Sequence, residues 1–118
     1  MLINKNKTIN QIKSEFANMF PNLKLEFFVK EHQVKEGSPL DQRIFDNLHL
    51  GSLSKIEEQK DFDITPDLKV SSLEQAFEKQ FGLHVQVYRK SENLWLQTTS
   101  TDEWTLKHQN DAGLARSK

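Results

Sequence analysis

Few of the side chains able to do chemistry are spaced for it. His32, His49, His84 and His108 are the four imidazoles, and no two stand at the short spacing that lets one helix turn or tight loop present both to zinc. Cysteine is absent, which removes thiolate ligands, disulfides and a cysteine nucleophile together. The four glycines form neither a G-x-G-x-x-G nor a Walker pattern, so no loop is built to cradle phosphate. Asp61, Asp63, Asp67 and Asp102 are carboxylates of the kind that act as general acid and base. That work needs a second group held within hydrogen-bond reach, and no motif marks such a pair, so they read as solvated surface. No catalytic residue, metal ligand or cofactor is predicted, and nothing licenses the word enzyme.

What remains is an aromatic set, Phe28, Tyr88 and Trp95, accompanied by Gln86, Arg89 and Gln97. Tyrosine, tryptophan and arginine carry much of the energy at binding surfaces, because they combine a large apolar body with a polar handle. These six residues are the candidate binding site. Two readings of the aromatics stand side by side: an open face that binds a protein partner or a second copy, or a face covered by a C-terminal helix bearing Trp104 and Leu106. A ligand-binding or enzymatic alternative puts a pocket between that helix and the sheet, using His84, Tyr88 or His108. A third reading stacks single-stranded nucleic acid on Tyr88 and Trp95, with Arg89 and Lys90 near the backbone.

The elements that position these residues are clearest from Val70 to Thr99. Ser71 and Glu74 have the spacing of a capping box, and Leu73, Ala76, Phe77 and Phe81 recur at helical intervals as one apolar stripe. Gly82 supplies a left-handed stop. The period then becomes two: Leu83, Val85 and Val87 alternate with His84, Gln86 and Tyr88, as on a strand with one face against a core. A polar run, Lys90 to Asn93, turns the chain into a second strand, Leu94 to Thr99. The expected register sets Tyr88 opposite Trp95 and Val87 opposite Leu96, with Val85, Val87, Leu94 and Leu96 on the inner face.

An earlier segment follows the same plan. Ile9, Ile12, Phe16 and Phe20 stand 61 positions before Val70, Leu73, Phe77 and Phe81, and Leu23, Leu25, Phe27 and Phe28 stand 60 positions before Leu83, Val85, Val87 and Tyr88. Thr8 with Gln11, or Asn10 alone, can cap the first helix and Pro21 ends it. Two helix–strand units are predicted, by internal duplication or by convergence on one amphipathic pattern. Phe16, Phe20, Phe77 and Phe81 are expected in one core with Leu25, Phe27, Val85 and Val87. Between the units, Ser38 to Asn47 suits a short helix, Leu48 to Leu53 reads as a brief strand or an anchored loop, and Asp61 to Val70 as an edge strand or two short pieces interrupted by Pro66. A last helix, capped by Ser100 or Thr101, is expected to run to about Asn110, with the remainder frayed.

The fold class is therefore α+β: a single domain over residues 1–118, with a roughly four-stranded, mostly antiparallel sheet and helices packed on it. An apolar fraction of 36% and a charged fraction of 28% suit a thin layered domain with much surface. With a formal charge of −1 and both signs interspersed, no broad basic field exists to neutralise a phosphate backbone, so nucleic acid is not the expected partner. No segment has the roughly 18 apolar residues of a membrane helix and the N-terminal residues lack an apolar leader core, so no membrane partner and a cytoplasmic location are expected.

Overall fold

The computed structural model describes residues 1–28, 46–54, 56 and 58–116, with side chains described as far as Gly113. Most of the short helix expected over 38–47 lies outside them. The first helix, α1 (Ile9–Met19), begins as the sequence indicates: Thr8 accepts from the backbone N–H of Gln11, and the Gln11 side chain accepts from the backbone N–H of Thr8. It ends at Phe20, before Pro21, and leads into β2 (Leu23–Phe28). In the second unit, α3 (Val70–Phe81) ends on Gly82, whose φ of 66° is the left-handed conformation that a side chain would disfavour. β4 (His84–Ser91) follows, turns over Glu92 and Asn93, and returns as β5 (Leu94–Gln97).

The strands divide between two antiparallel sheets. β2, β4 and β5 form one in that order, while β1 (Leu2–Ile3) pairs with β3 (Phe62–Asp63) in the other. The expected single four-stranded layer is thus redistributed, because the edge piece around Phe62 takes the N-terminal residues as its partner. The turn after β4 uses two residues, with Glu92 at φ 56°, so Lys90 and Ser91 stay in the strand. This moves the register by two from the one expected: Tyr88 faces Gln97, Arg89 faces Leu96 and Lys90 faces Trp95. An even shift leaves every side chain on its own face.

The core lies under the helix side of the larger sheet. All eight predicted members are buried, with Phe16, Phe77, Phe81, Val85 and Val87 at 0% exposure. Phe77 meets Phe27 and Phe62 edge to face, with centroids 5.2 and 5.0 Å apart, the arrangement that ring quadrupoles favour.

The helix starts are tied together in pairs. Ile9 donates to Leu48 O and Leu50 to Lys7 O, joining α1 to the short α2 (Leu50–Leu53). Val70 donates to Trp104 O and Leu106 to Leu68 O, joining α3 to α4 (Leu106–Arg116) in the same way. Amides at a helix start have no intrahelical acceptor, so each pair supplies the other's missing partners. This explains why the expected Ser71–Glu74 box is absent. Helix α3 begins at Val70 with Lys69 as its N-cap and no side-chain cap, and Ser71 Oγ donates instead to Glu103 at 2.9 Å. It also settles Leu48 to Leu53, where buried Leu50 opens a helical turn, neither strand nor loop.

The C-terminal helix starts later and runs further than expected. A short 3-10 turn (Thr99–Thr101) precedes it, and α4 continues through residues read as frayed. Gly113 permits this, since a Cβ there would stand 2.9 Å from Asn22 Cβ and 3.3 Å from Lys90 O. Asn22 ties the same contact, donating its backbone N–H to Asn110 Oδ1 at 2.8 Å.

Candidate interaction surface

Helix α4 packs on the helix side of the sheet, not on the aromatic face. Its Leu106 is fully buried with the core, and Gln109, also buried, accepts from Arg89 Nη1 at 2.9 Å. Gln109 in turn donates to Thr101 O and Thr101 Oγ1 at 2.8 and 2.6 Å. The Arg89 guanidinium lies 5.5 Å from the Trp104 ring centre. Arg89 is therefore removed from the aromatic group: with Val85 and Val87 facing inward, period two turns residue 89 inward as well. The seam between this helix and the sheet is lined by Arg89 and by buried Leu106, Gln109 and Thr98, the last donating to Val87 O at 3.0 Å. His84 and Tyr88 lie on the outer face while His108 sits on α4, its ring 4.3 Å from that of Trp104, so the three do not converge.

The remaining five candidates share the outer face of the larger sheet. Phe28 faces His84 across β2 and β4, Gln86 faces Glu26, and Tyr88 lies between Lys24 and Gln97. Phe28 and Trp95 are 40% and 39% exposed, so the covering helix expected on one reading is not on this side. Tyr88 and Trp95 are diagonal neighbours rather than opposite one another, and Lys24 bridges them. Its ammonium is 4.9 Å from the Trp95 ring centre and 5.3 Å from that of Tyr88, a cation–π contact worth about 0.5–1 kcal/mol at an exposed site. Lys24 escaped sequence reading because its place beside the aromatics depends on the pairing of β2 with β4.

Strand β5 departs furthest from expectation. Leu94 and Leu96 point to the helix side, as their alternation requires, yet they are 66% and 37% exposed. Among the described residues the helices cover β2 and β4, and β5 stays exposed along its length. All four β5 residues are exposed, and among the described residues the strand pairs with β4 alone. The apolar run Leu94-Trp95-Leu96 was a legible signal, since a strand with a single buried face would alternate.

The electrostatics elsewhere are local. Glu74, half-buried on α3, is pushed up to about 7, first by burial and then by the carboxylate of Asp102. Glu103 is held below the usual carboxylate range by its hydrogen bonds from Ser71 and Lys69, and the Lys107 ammonium is raised by its hydrogen bond to Asp111. Among the described residues no three His, Asp or Glu side chains gather to hold a metal ion, and no helix is long and apolar enough to cross a membrane. Compared with protein-family models, curated proteins and solved structures, the chain matches none.

Proposed function

We propose that this chain is a non-enzymatic protein-interaction module that docks an extended segment of another chain along the free edge of β5, with the adjoining aromatic face supplying specificity. The observation that carries the reading is the strand itself: Leu94, Trp95 and Leu96 are large, apolar and exposed on an edge without proline or charge. Folded proteins ordinarily shield such an edge with lysine, proline, a bulge or a covering loop, because unpaired N–H and C=O groups template pairing with any available strand. Strand addition uses those groups for affinity and alternate side chains for selectivity. Here a docked strand would lie beside Trp95 and Gln97 on one face and Leu94 and Leu96 on the other.

The two units recur in their bonding as well as in their apolar pattern, and we read them as one duplicated helix–strand element. The bridge from Thr8 to His49 has its counterpart in that from Lys69 to Thr105. Residues facing each other in the central pair, Glu26 and Gln86, differ by the 60 positions that relate the strands. The proposed compartment is the cytoplasm.

The test is photo-crosslinking in the cells that make the protein, with a photoreactive residue at Gln97 or, as a control, at exposed Lys79 on α3. Adducts from position 97 that are absent from position 79 support docking at β5. Equal yields from both positions would overturn it.

A further inference from the structure

The reading of β5 as a docking edge leaves the partner open, and the geometry of the edge narrows it. In a hairpin with a two-residue turn, the residues flanking the turn exchange both backbone bonds, and the pattern alternates outward from there. Ser91 and Leu94 flank the turn, so Leu94 and Leu96 direct their N–H and C=O groups toward β4. Thr98 continues the alternation, its backbone N–H reaching Val87 O at 3.4 Å. Trp95 and Gln97 consequently direct theirs away from the sheet. The free edge offers two donors and two acceptors, grouped around Leu96.

We infer that the partner is a second copy of this chain, its β5 antiparallel to the first and Leu96 facing Leu96 across a twofold axis. This rests on the docking reading above and adds a partner and a register to it. Centred on Leu96, Trp95 pairs with Gln97 of the other copy and Gln97 with Trp95, so every outward backbone group of both strands is used. Centring on Trp95 or on Gln97 joins one such pair and leaves the other residue's groups unmatched. The even face relationship also holds: Leu94 and Leu96 of both copies stay on the helix side, and both Trp95 rings stay on the outer face. No charged side chain lies on β5, so the twofold sets no like charges opposite each other. The two three-stranded sheets become one of six strands. The exposed apolar side chains of Leu94 and Leu96 are then partly covered.

The test is the mass of the purified full chain by sedimentation over a wide concentration range, with three single variants. The parent is expected to move from 13.8 kDa toward twice that mass. Gln97→Pro removes one outward N–H that β4 does not use, a place where an edge strand tolerates proline. It is expected to stay at the monomer mass with the parent's circular dichroism. Leu96→Lys and Leu96→Glu chains are each expected to remain monomeric, and an equimolar mixture to regain the dimer mass, because only this register sets residue 96 against itself. A parent that stays monomeric throughout overturns the second-copy inference, and so does a mixture that fails to reassociate. A monomeric parent whose position 97 still crosslinks to a different protein in cells would overturn this inference alone and leave the docking edge standing.

Discussion

Glu74 on α3 and Asp102 in the turn before α4 set two carboxylates against each other where the first unit has an ion pair. Lys13, 61 positions before Glu74, lies 3.5 Å from Asp46 and 3.3 Å from Glu26. Asp46 precedes α2 as Asp102 precedes α4, at the 56-residue offset that also relates His49 to Thr105 in the two bridges. One position thus holds a cation between two acids in the first unit and an acid facing a single carboxylate in the second.

Stability should therefore fall as pH rises. Glu74 is pushed up from an ordinary 4.5 to about 7, so the folded chain holds this proton more tightly than the unfolded chain. The resulting stabilisation is complete below 4.5 and is lost as pH rises through about 7. Thermal midpoints of the parent and Glu74→Gln, compared from pH 5 to 8, are expected to diverge in favour of the variant on the alkaline side. A constant difference would refute the assignment.

Reversing the charge at the equivalent site should create the same pH dependence there. Lys13→Glu places a third carboxylate beside Asp46 and Glu26, where the lysine and both acids are each about one-fifth exposed. A loss of about 1–3 kcal/mol at neutral pH is expected in denaturant titration, shrinking as the pH is lowered toward the carboxylate range. Glu74→Lys, by the same reasoning, should raise the midpoint at pH 8.

Phe77→Ala should cost about 3–5 kcal/mol, because the ring is fully buried and touches two others edge to face. Equilibrium unfolding measures it. A variant nearly as stable as the parent would mean that the contacts among Phe27, Phe62 and Phe77 contribute little.

Gly113→Ala tests how closely α4 approaches the sheet. Alanine in a helix gains up to about 1 kcal/mol over glycine, whereas overpacking costs about 1–3 kcal/mol when neighbours cannot yield. The neighbours here are Asn22 Cβ, Arg89 Cγ and Lys90 O, at 2.9, 3.2 and 3.3 Å, and the closest of them, Asn22 Cβ, is fixed to the backbone. The clash should win and lower the thermal midpoint. A rise would show that α4 can slide.

The double change Tyr88→Ser with Trp95→Ser should shift stability by no more than about 1–2 kcal/mol, since the Trp95 ring is partly open and its principal contact is Lys24. Deleting residues after Ser100 should leave Trp95 emission unshifted, because α4 lies on the other face, while destabilising the chain through loss of Leu106 and Gln109. A red shift of Trp95 would contradict the placement of α4.

The sequence by itself determined what local periodicity and capping control: the Phe16 and Phe77 stripes, the box at Thr8, the stop at Gly82, and the inward side of Leu25, Phe27, Val85 and Val87. A residue's face on a helix or strand follows from its neighbours within a turn or a pleat, so these were legible. The tertiary structure decided what depends on segments far apart in the chain. Val70 takes its cap from the carbonyl of Trp104, which is why Ser71 and Glu74 form no box. The inward side of Arg89 follows from the same period of two as Val85 and Val87, whereas the place of Lys24 beside the aromatics depends on the pairing of β2 with β4. The exposure of Leu94 and Leu96 depends on how far α3 and α4 reach across the sheet, and an apolar residue in a strand carries no record of whether a helix covers it.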